Sequence, residues 1–254
     1  MRTPAALLLC SLVSQAWADD FAIPPYEAHY SVAWGGLHVG DMEVTLSRQP
    51  DGSYQYKSIT DPAGLASLFA SDVVTEISEF ELTGEGPRSL HYIYSQTGGK
   101  HEKSEDIRFE WSKGEAEFQE DDHKKTLALS AGVYDRFLAQ LLLSSCGSDG
   151  KLPSEIRVAD HREMVSYVTK SLDKASVRTG NASFQDVSVV EIKQAKKDDV
   201  TRLYLAPAVH YLPVEIELLR PERSTVTIVL ESITFSPTKA PAAASRVGER
   251  QPVS

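Results

Sequence analysis

Alternation of apolar and polar residues is the feature that most constrains how this chain of 254 residues folds. Residues 26–34 read YEAHYSVAW, and their large apolar side chains fall on every second position. This period is that of a β-strand with one buried face, because successive side chains of a strand point to opposite sides. Further stretches with strand patterning lie at residues 37–46, 73–82, 88–96, 101–111, 115–121, 156–159, 164–169, 174–178, 183–193, 201–205, 212–219 and 224–235. The pattern predicts an all-β protein with about a dozen strands.

Irregularities in the strand pattern mark turns and one bulge. Asp51 and Gly52 form a pair typical of tight β-hairpins, and Tyr54 opens the return strand. The phase of the apolar residues changes at Gly40, which predicts a β-bulge there. The charged stretch at residues 100–125 is interpreted as a solvated hairpin face.

Two short helices are predicted within this β pattern. The first spans about residues 62–70, since Asp61 is a good helix cap and Pro62 suits the first helical position. The second spans about residues 132–146. Asp135 falls in its first turn, where a carboxylate interacts favourably with the helix dipole, so a structural role is favoured over catalysis. Its apolar stripe comprises Val133, Phe137, Leu138, Leu141 and Leu142, and Gly147 is placed to end it.

The number of strands constrains the architecture. An open sheet of this length leaves edges that invite aggregation. We therefore expect a curled antiparallel sheet that forms a closed or half-open barrel, or two sheets wrapped on each other. The hollow of such a sheet is where the second helix can bury its apolar stripe.

The N-terminal segment of the chain predicts export. Arg2 precedes an apolar run at residues 5–13, and Ala16 and Ala18 supply the small residues that a signal peptidase recognises. We expect residues 1–18 to be cleaved, which places the protein in the periplasm. The apolar run is too short to span a bilayer. Residues 19–236 then form a single domain, and residues 237–254 a disordered tail.

The mature chain would keep one cysteine, because Cys10 lies in the segment removed. No internal disulfide is then possible, and Cys146 is expected to be buried near the end of the second helix. The net charge of −10 does not favour nucleic acid as a partner.

No catalytic, cofactor or metal signature is found. The chain lacks a nucleophile elbow, a phosphate loop and a dinucleotide fingerprint. Its seven histidines form no helical pair, and no cysteine pair assists them. The densest clusters, at residues 120–123 and 160–163, are interpreted as solvated surface, because neighbouring strand residues point to opposite faces. We therefore predict no metal, no cofactor and no enzymatic activity.

Aromatic residues are the remaining signal. On strands they are typical of a core, and the alternative is a hollow lined by aromatic rings that holds an acyl chain or a sugar face. The candidate ligand-binding residues are Trp34, Tyr56, Phe69, Tyr92 and Phe137.

Four segments in order carry a resemblance to a known family. They are residues 30–40 (YSVAWGGLHVG), 134–139 (YDRFLA), 158–160 (VAD) and 204–216, which ends in YLPVEI. Together they resemble the exported bacterial family called domain of unknown function 3108. The last segment is also similar to periplasmic lipoprotein carriers, which are half-open β barrels lidded by helices around an apolar cavity. This second resemblance implies an architecture, and it does not establish a function.

Three functional hypotheses follow. The first is a non-enzymatic periplasmic protein that binds a lipid or another hydrophobic or amphiphilic envelope ligand on its concave surface. The second is a structural or adaptor protein that joins an envelope protein partner through an exposed sheet edge. The third is a hydrolase acting on envelope material, which would need polar groups that converge in a cleft.

Overall fold

A computed structural model describes residues 23–64, 72–99, 102–149, 151–180, 182–194 and 197–236. This part of the chain holds sixteen strands and one α-helix, α1 (Arg136–Asp149). The strands of the first half are β1 (Tyr26–Trp34), β2 (Leu37–Arg48), β3 (Tyr54–Pro62), β4 (Val73–Thr83), β5 (Gly86–Thr97), β6 (Lys103–Glu110), β7 (Glu115–Glu120) and β8 (His123–Ala128). Those of the second half are β9 (Val133–Asp135), β10 (Glu155–Asp160), β11 (Glu163–Ser171), β12 (Ala175–Arg178), β13 (Ser183–Gln194), β14 (Val200–Ala206), β15 (Leu212–Leu219) and β16 (Val226–Phe235).

The strands form one long curled sheet. Its order is β8-β7-β6-β5-β4-β3-β2-β1-β16-β15-β14-β13-β11-β10-β9, with β12 paired to β13 outside this path. The pairs are antiparallel except for β9 and β10, which are parallel. Strands β1 and β16 join the two halves of the chain, and β8 and β9 lie at opposite ends of the path. The prediction of an all-β protein with a curled antiparallel sheet is confirmed. Of the predicted closed and half-open forms, the structure shows the half-open one, because the sheet is not closed.

Strand burial follows the alternation in the sequence. In β1, Tyr26, Ala28 and Tyr30 are buried and the residues between them are exposed. The predicted bulge is also present, since Val32 pairs with Gly40 whereas Ala33 pairs with His38. A Cβ atom at Gly40 would lie 2.7 Å from the carbonyl oxygen of Asp61, so this position requires a residue without a side chain.

Helix α1 lies in the hollow of the sheet. Leu138 and Leu141 pack into a large apolar cluster with strands of the first half, and Ala139 and Leu143 pack into a second cluster with β10 and β13–β15. The helix begins at Arg136 and not near residue 132 as predicted, because β9 occupies the preceding residues. It also continues past Gly147 to Asp149, so that glycine does not end it.

The other predicted helix, at residues 62–70, lies mostly outside the described residues. Pro62 itself is the last residue of β3 and does not begin a helix. The proposed signal peptide and the C-terminal tail also lie outside the described residues. Within the part that is described, no helix is both long and apolar enough to cross a membrane.

Candidate functional site

An apolar cavity of about 610 Å³ lies between helix α1 and the concave face of the sheet. Both halves of the chain contribute to its wall. The lining residues are Tyr30, Met42, Val44, Tyr56, Ser58, Val74, Glu76, Tyr94, Arg136, Phe137, Ala139, Gln140, Leu143, Ile156, Val158, Tyr167, Ile192, Thr201, Leu203, Ile216, Leu218, Arg220 and Ile228. This size falls within the ~300–1,000 Å³ typical of small-molecule sites. Most of the wall is apolar, and a few charged and polar side chains interrupt it.

The structure brings only some of the predicted ligand-binding residues to this cavity. Tyr56 and Phe137 both line it, and their rings stack with centroids 4.1 Å apart. Tyr92 is buried beside the cavity wall, where its hydroxyl donates to Glu76 Oε1 at 2.6 Å. Trp34 lies elsewhere, 57% exposed at the end of β1. Phe69 lies outside the described residues.

Arg136 is the charged centre of the cavity wall, and no sequence pattern marked it as a site residue. Its guanidinium pairs with Glu76 Oε1 at 3.0 Å and with Asp160 Oδ1 at 3.1 Å. It also lies over the rings of Tyr92 and Tyr94, at 5.2 and 5.0 Å from their centroids, as in cation–π contacts. Burial acts to lower the pKa of Arg136, but the facing carboxylates outweigh it and hold that pKa above its ordinary value.

Side-chain contacts, which we call the polar seam, connect the strands β4–β8 to the start of the second half. The seam comprises Glu76, Ser78, Ser89, Glu105, Glu120 and Lys125 on the first side, and Asp135, Arg136, Asp160, His161 and Arg162 on the second. No strand ladder joins the two ends of the sheet in the described residues, and each polar contact of the seam involves at least one side chain.

Asp135 is the buried centre of one part of this seam. Its Oδ2 accepts the hydroxyls of Ser78 at 2.8 Å and Ser89 at 2.6 Å. Its Oδ1 accepts the backbone N–H groups of Phe137 at 3.0 Å and Leu138 at 2.8 Å, which makes Asp135 the N-cap of α1. Burial raises the pKa of Asp135, against the effect of these four hydrogen bonds. The carboxylate is thus structural, as predicted, but it precedes the helix.

Glu105 forms another part of the seam. It is 3% exposed, which corrects the prediction of a fully solvated hairpin face over residues 100–125. Burial and the negative charge of Asp160 raise the pKa of this carboxyl group. A signal was present in the sequence, because Glu105 alternates in phase with Ile107 and Phe109, both of which are buried. A carboxylate on the apolar phase of a strand indicates a buried charge.

The cluster at residues 160–163 also differs from its interpretation. Asp160 is buried, and His161 begins the turn after β10 with a φ of 47°. The strict alternation of a strand therefore ends at this point, and both side chains can face Glu105. Ligand atoms of these three residues lie within 4.8 Å of one another.

Comparison with known proteins identifies a family and a fold. The family model described as "Protein of unknown function (DUF3108)" matches residues 29–221. A crystal structure of a β-barrel-like protein of domain of unknown function DUF1849 from Brucella abortus is 11% identical, with a TM-score of 0.55, and the match covers 84% of this chain and 98% of that one. This likeness supports the fold alone.

Two further solved structures match more weakly. MucB in complex with MucA(peri) and the MucA/MucB complex of Pseudomonas aeruginosa are each 11% identical to this chain with a TM-score of 0.18. Each match covers 86% of this chain and 96% of the other. These scores are too low to support an inference about this protein. Among curated proteins, none matches the chain.

Proposed function

Since this chain belongs to the DUF3108 family, whose function is not established, we propose a function from its own geometry: it binds an amphiphilic ligand in the cavity beside α1. The observation that carries this proposal is the cavity of about 610 Å³. Its wall is dominated by aliphatic and aromatic side chains, which suit an acyl chain or another apolar group. The wall also holds Glu76, Arg136, Gln140 and Thr201, which suit a polar head group.

The polar residues of the wall favour an amphiphile over a purely apolar ligand. The side chain of Arg136 is only 27% exposed, so its charge carries a desolvation penalty that apolar residues of similar volume would avoid. The pairing of Arg136 with Glu76 and Asp160 therefore points to a role in recognition at this wall. Tyr56 and Phe137 supply the stacked aromatic surface that would contact the apolar part of the ligand.

Native mass spectrometry of protein purified from its own envelope, with detergent-free handling, tests this proposal. We expect a retained mass of lipid size. In a second measurement, purified protein is titrated with cis-parinaric acid, whose fluorescence rises in an apolar site. Ala139→Phe projects a ring into the cavity and should reduce probe binding, whereas Trp34→Ala alters an aromatic residue outside it and should not. Ala139→Leu replaces the Phe variant if that variant does not fold.

The ligand-binding proposal fails under a definite pattern of results. A bare protein mass together with the absence of saturable parinaric acid binding would refute it. Equal probe binding by wild type and the folded Ala139→Phe or Ala139→Leu variant would show that the probe binds elsewhere. Either result would favour the adaptor hypothesis.

We also propose that the protein is exported to the periplasm and acts without catalysis. Export rests on the signal-peptide pattern of residues 1–18. The intact mass of protein recovered from the periplasm should equal that of the chain without residues 1–18. Recovery of the full-length mass from the cytoplasm would contradict the proposal.

An adaptor function has one observation in its favour. Strand β8 pairs with β7 on one side, and no strand of the described chain covers its other edge. Its side chains are almost all exposed, and an open edge can accept a strand from a partner. Thr126→Pro would block added pairing at that edge, and crosslinking to an envelope partner should then be lost. Unchanged crosslinking would exclude β8 as the docking edge.

A further inference from the structure

We propose that Glu105, Asp160 and His161 form a binding site for a divalent first-row transition-metal ion, with Zn²⁺ as the type ion. The three residues offer one imidazole nitrogen and two carboxylate oxygens, a donor set that suits such ions. The site is distinct from the ligand cavity, since none of the three residues lines that cavity. Its test is therefore independent of the proposed ligand binding.

The spacing of the donor atoms fits a metal site that lacks its ion. Asp160 Oδ1 and His161 Nε2 lie 3.9 Å apart, and all three ligand atoms lie within 4.8 Å of one another. Zn–N and Zn–O distances of about 2.1 Å place tetrahedral ligands about 3.4 Å apart. Closing the site thus needs only a small movement. The side chain of His161 is 60% exposed, which leaves it free to move and gives an ion a path from solvent.

An unsatisfied buried oxygen points to a missing ligand at this cluster. Glu105 is 3% exposed, and its Oε1 accepts the backbone N–H of His161 at 2.7 Å. Its Oε2 is fully buried and has no hydrogen-bond partner among the described residues. A buried carboxylate oxygen without a hydrogen-bond partner costs folding free energy, and it is rare in folded proteins unless an ion or water lies beside it. A cation held between Glu105 and Asp160 would satisfy it.

The charge of Glu105 is not balanced by a neighbouring basic residue of the seam. Arg136 is already paired with Glu76 and Asp160, and Arg162 is paired with Glu120 at 2.7 Å. Lys125 donates to a backbone carbonyl, that of Arg162. No lysine or arginine nitrogen of the described chain lies within 4.0 Å of the Glu105 carboxylate, so its charge has no direct counterpart.

Glu120 supplies the outer contact that metal-binding histidines commonly have. Its Oε1 lies 3.3 Å from Nδ1 of His161, while Nε2 faces Asp160. A carboxylate that accepts the Nδ1 proton fixes the tautomer and leaves the Nε2 lone pair for an ion. The ion would then link β6 directly to the turn between β10 and β11. It would add a metal-mediated contact to the polar seam at the open side of the sheet.

Isothermal titration of untagged, EDTA-treated mature protein with ZnCl₂ tests the site, and native mass spectrometry counts the bound ions. We expect one Zn²⁺ per chain. His161→Ala and Glu105→Gln should each weaken binding at least about tenfold. His38→Ala is the matched control, because His38 is also exposed and lies 3.0 Å from the carboxylate of Asp41. It should leave Zn²⁺ affinity unchanged.

Hydrogen exchange provides a second readout. Zn²⁺ should slow amide exchange in β6 and at His161 and Arg162 in wild type, and it should not do so in His161→Ala. Because the His161 side chain is exposed, the His161→Ala variant should keep its fold, and circular dichroism checks this. The proposal is overturned if wild type binds no stoichiometric Zn²⁺, or if His161→Ala and His38→Ala lower the affinity equally.

Discussion

Replacement of Asp135 by alanine tests whether the polar seam holds the two ends of the sheet together. The substitution removes the acceptor of four hydrogen bonds at a fully buried position. Loss of an N-cap costs about 1 kcal/mol, within a range of ~0.5–2. Each buried serine hydroxyl left without its acceptor costs about 1–3 kcal/mol. Ser78 and Ser89 are both completely buried, so solvent cannot replace the lost partner.

The summed expectation for Asp135→Ala is a loss of about 3–7 kcal/mol in the free energy of unfolding. That is a large share of the ~5–15 kcal/mol that stabilises a typical domain. Urea denaturation followed by tryptophan fluorescence measures it. Trp111 reports on this region, because its indole N–H donates to the carbonyl of Ser89 at 2.7 Å.

Two further variants separate hydrogen bonding from charge. Asp135→Asn keeps the shape and the Oδ1 acceptor, and it removes the burial penalty of a charge, so a loss of only about 1 kcal/mol is expected. A double-mutant cycle with Ser78→Ala should give a coupling energy of about 1 kcal/mol, because the two side chains are in direct contact. A loss below about 1 kcal/mol for Asp135→Ala, or zero coupling to Ser78, would refute the reasoning.

Three further predictions concern other parts of the site. Arg136→Leu leaves the partly buried carboxylates of Glu76 and Asp160 without their cation, and it should cost about 1–3 kcal/mol in urea denaturation, less than for a fully buried pair, against a smaller loss for Arg136→Lys. Gly40→Ala forces a Cβ atom to within 2.7 Å of the carbonyl oxygen of Asp61, and a loss of about 1–3 kcal/mol is expected in thermal denaturation. The control Gly84→Ala, whose Cβ atom would meet nothing within 4 Å, should change stability little. Burial raises the pKa of Tyr56 from 10.0 to about 12, so the folded state holds the phenolic proton more tightly than the unfolded state does. This proton contributes about 2–3 kcal/mol to the free energy of unfolding below pH 10, and that contribution is lost as pH rises from about 10 to 12. Tyr56→Phe should flatten that part of the stability profile, and an identical slope in variant and wild type would contradict it.

The sequence by itself determined the class of the fold and most of the strands. Alternation in stretches such as residues 26–34 fixes which face of a strand is buried, because the period of two is a property of the extended backbone. The bulge at Gly40 and the turn at Asp51 could also be predicted, because each depends on a few neighbouring residues. The helix beside the cavity was found from its apolar stripe, although its first turn was misplaced because β9 precedes it.

Tertiary structure alone decided the partners of the charged side chains that face the inside of the sheet. Each of these charges lies on a different element: Glu76 on β4, Glu105 on β6, Arg136 on α1 and Asp160 on β10. The sequence indicates that a side chain points inward only where the strand has clear apolar–polar alternation. Which of them meet depends on how the sheet curls and where β9 and β10 cross the first half. That geometry is set by the sum of twist and packing over the whole sheet, so no local pattern encodes it. The cavity wall and the cluster of Glu105, Asp160 and His161 became visible only when both halves were in place.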